Sequence, residues 1–154
     1  MATVTVTDLV VAEQFGHLRE VAEQRGWPLK QLDGPGFELV LPARGGSRFG
    51  LNVLCDGYPG MPPAWRWCNP ESGICDLPAD IPRGSGGYFH SSGRICAPWN
   101  RLAYKQVDSK GPHGEWELST WMTNPKTGSC TTLTAMALRM AVELKSERYQ
   151  GRKG

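Results

Sequence analysis

Phe37-Glu38-Leu39-Val40-Leu41 and Phe49-Gly50-Leu51-Asn52-Val53-Leu54-Cys55, with Ala43-Arg44-Gly45-Gly46-Ser47 between them, decide how this chain folds. In the second run Phe49, Leu51, Val53 and Cys55 alternate with Gly50, Asn52 and Leu54, and a period of two puts every second side chain on one face of a strand. The Gly-rich connection reads as a hairpin, so the two runs predict an antiparallel pair. Ala64-Trp65-Arg66-Trp67 resumes the extended pattern directly after Pro62-Pro63, with both tryptophans on one face and Arg66 on the other. Three or four consecutive strands then make an antiparallel meander.

Helical periodicity flanks it. Val11, Phe15, Leu18 and Ala22 recur at helical spacing, and Asp8 puts negative charge in the first turn, so a helix is predicted from Asp8 to about Arg25. Gly26-Trp27-Pro28 stops it. Leu133, Met136, Ala137, Met140, Ala141 and Leu144 predict a second helix from Thr132 to about Glu147, with Ser129 or Thr131 as its N-cap. From Asn69 to about Val107 no period is present, and an irregular stretch of that length in a small domain is usually functional. The tail from Ser146 to Gly154 is expected to fray. The order helix, meander, long loop, helix predicts an α+β domain with helices over one face of the sheet.

At 154 residues and 40% hydrophobic, residues 1–154 suit one domain, with its core at about 8–147. A net charge of +2 excludes the basic excess of a dedicated nucleic-acid binder. The start, Met1 to Asp8, lacks the basic and apolar regions of a signal peptide, and no run of about 18 apolar residues is present, so a cytoplasmic location is expected. Five cysteines, Cys55, Cys68, Cys75, Cys96 and Cys130, are odd in number and irregular in spacing, which suits a reducing compartment. Cys68, Cys75, Cys96 and His90 are four possible zinc ligands, but the closely spaced cysteine pairs of structural zinc sites are missing, and no metal is expected.

The chemistry concentrates in Tyr88-Phe89-His90-Ser91-Ser92-Gly93-Arg94-Ile95-Cys96-Ala97-Pro98-Trp99-Asn100-Arg101. A lone thiol in a Gly- and Pro-punctuated loop, with an imidazole upstream and guanidinium groups on both sides, is placed for nucleophilic chemistry. Cys96 is the candidate nucleophile; the alternative is a buried, inert thiol. His90 is the candidate to donate to an oxyanion or to accept a proton, against a loop histidine bonded to backbone. Arg94 and Arg101 are candidates to lower the thiol pKa, Asn100 is an amide candidate for the oxyanion, and Trp99 is a candidate to line a groove. Cys130, near the start of the second helix, is the second-ranked thiol.

Tyr58-Pro59-Gly60-Met61-Pro62-Pro63 leading into a strand, the His90…Gly93-Arg94-Ile95-Cys96 loop, downstream tryptophans and a late Leu-rich helix together resemble the ubiquitin-conjugating enzyme family. They are most similar to its divergent prokaryotic branch, encoded beside ubiquitin-like modification genes. The resemblance implies the UBC-like fold, and an acyltransferase that carries a ubiquitin-like modifier as a thioester on Cys96 and passes it to a lysine amine. It implies no cofactor, since a separate activating enzyme spends the ATP. Its implied partners are the ubiquitin-like modifier, that activating enzyme, a target protein and a deconjugating protease; a nucleic acid or a membrane is not among them. For the prokaryotic branch it further implies antiviral defence. Activating enzymes dock on the first helix in this family, which makes Arg19, Glu20 and Arg25 candidates for docking, beside the plain reading of a solvated face. One departure matters: the family's His-Pro-Asn triplet is missing, and Tyr88 stands about where its asparagine would be. That loss keeps open a second reading, a non-catalytic UBC-like module that binds a ubiquitin-like protein. A third is an unrelated thiol enzyme using Cys96 and His90, for which no third orienting group is evident.

Overall fold

In the computed structural model, which describes residues 3–154, the first element starts at a capping box. Asp8 N–H donates to Thr5 Oγ1 and Thr5 N–H donates to Asp8 Oδ2, both at 3.0 Å, so donors that the first turn leaves free are satisfied reciprocally. Helix α1 (Val6–Arg25) buries Val11, Phe15, Leu18 and Ala22 and ends at Gly26. Met1 and Ala2 lie outside the described residues.

The meander has four strands in chain order, all antiparallel: β1 (Leu29–Gln31), β2 (Gly36–Pro42), β3 (Arg48–Leu54) and β4 (Ala64–Cys68). Its first strand lies between Pro28 and the first alternating run and is too short to show a period of its own. The register stacks Leu39 against Leu51 and Leu51 against Trp67, and Phe37 against Val53 and Val53 against Trp65. One face of the sheet is thereby wholly apolar: Phe37, Leu39, Leu41, Phe49, Leu51 and Val53 are 0% exposed. Each such side chain contributes about 1.5–3 kcal/mol relative to leaving it in water. Helix α2 (Leu133–Lys145) lies with α1 against this core through Leu133, Met136, Ala137, Met140 and Leu144. Phe15 meets Phe37 with ring centroids 5.9 Å apart. The N-cap of α2 is Thr132, whose Oγ1 accepts from Ala135 N–H at 3.1 Å, rather than Ser129 or Thr131.

Two departures concern the polar stretches. The tail does not fray: β6 (Tyr149–Arg152) pairs antiparallel with β5 (Pro82–Gly84) in a second, two-stranded sheet. Apolar contact holds it, since Tyr149 is buried and its ring stands edge-on to Phe49 at 5.7 Å. Polar contacts add to it: Arg44 donates to Tyr149 C=O, and Arg152 to the Ala79 and Arg48 carbonyls. The second departure is the segment between β4 and α2, which is ordered by short 3-10 turns at Pro78–Asp80, Gly87–Phe89, Arg101–Ala103 and Leu118–Thr123. Among the described residues no helix is long and apolar enough to cross a membrane.

Candidate functional site

The cysteine-bearing segment is fastened at four places by polar groups. Asn100 is fully buried; its Oδ1 accepts from Trp65 N–H at 2.8 Å, and its Nδ2 donates to Ile95 C=O at 2.9 Å. The chain is thus tied to β4 on one side and to the residue before Cys96 on the other. Arg101 donates through Nε to Pro62 C=O at 2.9 Å and through its terminal nitrogens to Asp56, so the proline turn is the floor on which this segment rests. Cys96 N–H donates to Gly87 C=O at 2.9 Å. Gly93, buried at φ 84°, makes the bend between His90 and Cys96, a backbone conformation that glycine adopts without penalty.

Arg94 is the fourth fastening. Its guanidinium lies 2.7 Å from Asp76 Oδ1 and 3.0 Å from Asp108 Oδ2, and only 9% of its side chain is exposed. Asp108 belongs to the loop that follows Arg101–Ala103, and the same loop delivers an imidazole to the thiol. His113 N–H donates to Ala103 C=O at 3.1 Å and Lys105 N–H donates to His113 C=O at 2.9 Å. The return is tight enough to demand glycine at position 111, where a Cβ would stand 2.7 Å from the Tyr104 carbonyl carbon.

His113 Nε2 lies 2.9 Å from Cys96 Sγ, across 17 positions of sequence. Glu115 accepts a hydrogen bond from His113 Nδ1. With Nδ1 donating to a carboxylate, Nε2 presents a lone pair, and the thiol becomes the donor. Trp116 stacks on the imidazole, with ring centroids 3.5 Å apart and planes 8° from parallel. A thiol, an imidazole and a carboxylate are therefore brought into line from two loops, an arrangement that could serve nucleophilic chemistry.

Electrostatics explain why the thiol needs this partner. Burial pushes the Cys96 thiol up to about 11, and Glu115 adds to the rise, while Lys126 pulls in the opposite direction. At neutral pH the sulfur keeps its proton in this setting, the state in which the thiol donates to His113 Nε2. Glu115 itself is held below the ordinary carboxylate range, chiefly by its hydrogen bond with His113.

The residues singled out from the sequence divide accordingly. Cys96 is partly exposed and faces the His113 imidazole. His90 is not the imidazole that meets it: His90 Nδ1 is occupied by Ser92, through the hydroxyl at 2.9 Å and the backbone N–H at 3.0 Å. The hydrogen bonds of Arg94 and Arg101 go to Asp76, Asp108, Asp56 and Pro62, and Lys126 is the cation acting on the thiol. The amide of Asn100 is spent on the backbone, and Trp99 is 0% exposed in the core against Trp65, so neither lines an open groove. Tyr88 packs on Trp99 and its hydroxyl accepts from Arg139 Nε at 3.2 Å. Arg19, Glu20 and Arg25 are exposed on α1, where the Arg19 and Arg25 guanidinium groups lie over Phe15 and Trp27. Cys130 is buried and its thiol is raised by desolvation. Cys68 and Cys75 face each other across an isolated antiparallel bridge. Among the described residues no three His, Cys, Asp or Glu side chains gather as a metal site.

His113, Glu115 and Trp116 went unread in the sequence although a signal was there. Gly111-Pro112-His113-Gly114-Glu115-Trp116 has the same Gly and Pro punctuation around a reactive group that marks the Cys96 loop. Nearness in sequence drew attention to His90 instead. No family model matches the chain, and comparison with curated proteins and with solved structures finds no similar protein.

Proposed function

We propose that this chain is a conjugating acyltransferase of the ubiquitin-conjugating kind, with the UBC-like fold, that carries a ubiquitin-like protein as a thioester on Cys96. The observation that supports it most is the 2.9 Å contact between Cys96 Sγ and His113 Nε2, with Glu115 on the far nitrogen. In the first step the thiol proton passes to His113 and the sulfur attacks the carbonyl of the modifier held on its activating enzyme. The activating enzyme's thiol leaves with that proton. In the second step a target amine attacks the Cys96 thioester, gives its proton to His113, and the Cys96 sulfur leaves as the amide forms. His113 thus fills the role for which His90 is the candidate in the sequence. The helix α1 face with Arg19, Glu20 and Arg25 is the docking surface proposed for the activating enzyme, and a role in antiviral defence follows from the resemblance alone.

The Glu115 contact also favours a second reading, because it supplies the third orienting group that a thiol hydrolase needs. The two readings differ in the second nucleophile, an amine or water. Incubating the chain with activating enzyme, modifier and ATP separates them: conjugation predicts a reductant-sensitive adduct on Cys96 that disappears in Cys96→Ala and passes to added lysine. Release of free modifier with no amide product supports hydrolysis, and no adduct with the true partners leaves the binding module.

A further inference from the structure

The Cys96 and His113 pair has a neighbour that neither step above uses. Tyr88, Lys126, Gly128, Ser129, Leu138 and Arg139 are among the residues lining a cavity of about 430 Å³ between the loop before α2 and the α2 surface. Two of its lining residues lie beside groups that hold the reactive pair. Tyr88 follows Gly87, whose carbonyl holds Cys96 N–H at 2.9 Å. Lys126 Nζ stands over the Trp116 ring, 6.0 Å from its centroid, and that ring is the one stacked on His113.

The cavity is cationic. Its lining carries Lys126 and Arg139 and no carboxylate. Among the described residues no ion pair engages Lys126. Arg139 reaches Glu143 only at 3.7 Å, while Arg148 binds both oxygens of that same carboxylate at 2.8 and 3.0 Å. Two guanidinium groups therefore share one buried carboxylate, and the more loosely held of them faces the cavity. A chain leaving a thioester on Cys96 past Tyr88 or Trp116 would meet this positive charge.

We infer that this cavity is a specificity subsite for an acidic side chain close to the C-terminus of the acyl donor, Lys126 and Arg139 pairing with its carboxylate. The inference rests on the reading of Cys96 as an acyl carrier. Charge complementarity fixes the class of occupant, and the exposure of both cations makes the selectivity one of degree.

Short peptide α-thioesters test it without an activating enzyme. Cys96 displaces mercaptoethanesulfonate, the peptide acyl group becomes bonded to the Cys96 sulfur, and the released thiol carries away the proton. Peptides identical except for Glu, Gln or Lys at the second to fourth residue from the thioester are compared by the mass and rate of the Cys96 adduct. The Glu peptides should acylate about fivefold faster than the Gln peptides at subsaturating concentration, the ratio expected of two exposed ion pairs. The difference should appear in KM and shrink as salt rises. Lys126→Glu combined with Arg139→Gln should abolish the Glu preference and favour the Lys peptide. Equal rates for the three peptides, or a Glu preference that survives the double substitution, would overturn the subsite while leaving the acyl carrier intact. No adduct on Cys96 from any peptide, with the protein folded and the thiol still alkylated by iodoacetamide, would overturn both.

Discussion

The sheet with its two helices and the segment from Asn69 to Thr131 share one apolar core but differ in what is added to it. The first is an apolar body in which period-two strands and helical stripes bury Leu, Phe, Trp and Met against one another. The second contains Asp80, Arg94, Asn100, Arg101 and Thr127, all buried; elsewhere in the described chain the buried polar side chain is Glu143. Apolar burial is non-directional and scales with area, so it fixes where elements lie without fixing individual atoms closely. Hydrogen bonds to buried charges and amides are directional and costly to break. A thiol and an imidazole that must meet at 2.9 Å from opposite ends of a loop require the second kind of support.

That contrast is most sharply tested at the reactive pair. His113→Ala should lower the rate of Cys96 acylation by roughly 10²- to 10⁴-fold at neutral pH, the usual contribution of a positioned base. Its melting curve should stay close to that of the parent, and a lost fold instead would mean that His113 is structural. His90→Ala should acylate within about twofold of the parent, because Ser92 holds that ring.

Deleting one anchor from each region comes next. Leu39→Ala should cost about 2–5 kcal/mol in denaturant unfolding, through lost burial and the cavity left behind. The folded fraction should still react normally at Cys96. Asn100→Ala should cost about 2–4 kcal/mol, because Trp65 N–H and Ile95 C=O are left buried without partners. It should also slow Cys96 acylation in the folded fraction, and a normal rate there would break the distinction between the two kinds of support.

Alkali should weaken both regions together. Burial raises the Cys55 and Cys68 thiols in the body to about 12, and Cys96 to about 11, from an ordinary value of 9.0. Above about pH 9 the unfolded chain releases these protons while the native chain keeps them, so the unfolded state binds fewer and stability falls as pH rises. The loss should continue to about pH 11 to 12, where the native thiols also ionise. Unfolding titrations at pH 8 and pH 10.5 measure it, and Cys55→Ala should flatten the slope.

The smallest effect is expected at the edge of the body. Thr5→Ala removes the capping bond to Asp8 and should cost about 1 kcal/mol with no change at Cys96.

How far each region can be read from sequence follows from the same physics. The strands around Leu39 and Leu51 and the helix through Leu18 are legible because their burial repeats with a fixed period. The tail is not, since its anchors, the Tyr149 ring against Phe49 and the bonds of Arg152 to the Ala79 and Arg48 carbonyls, follow no period. Within the site, Cys96 is legible as a thiol set among turn-forming residues. Its imidazole partner is not, because His90 and His113 are equivalent in composition and differ only in which loop returns to the sulfur. Arg94 and Arg101 stand beside Cys96 in sequence and suggest electrostatic assistance, yet each is satisfied by distant carboxylates and carbonyls.

By itself the sequence determined an α+β arrangement of helix, antiparallel meander, long loop and helix, and it singled out Cys96 as the thiol to watch. Those features rest on local periodicity, turn chemistry and residue type, which the chain carries wherever its parts end up. The pairing of Cys96 with His113, the orientation of that imidazole by Glu115 and Trp116, and the cationic cavity at Lys126 and Arg139 were decided by tertiary structure alone. Contacts between irregular loops have no period to announce them, and the side chain that reaches a sulfur atom is chosen by where the backbone returns.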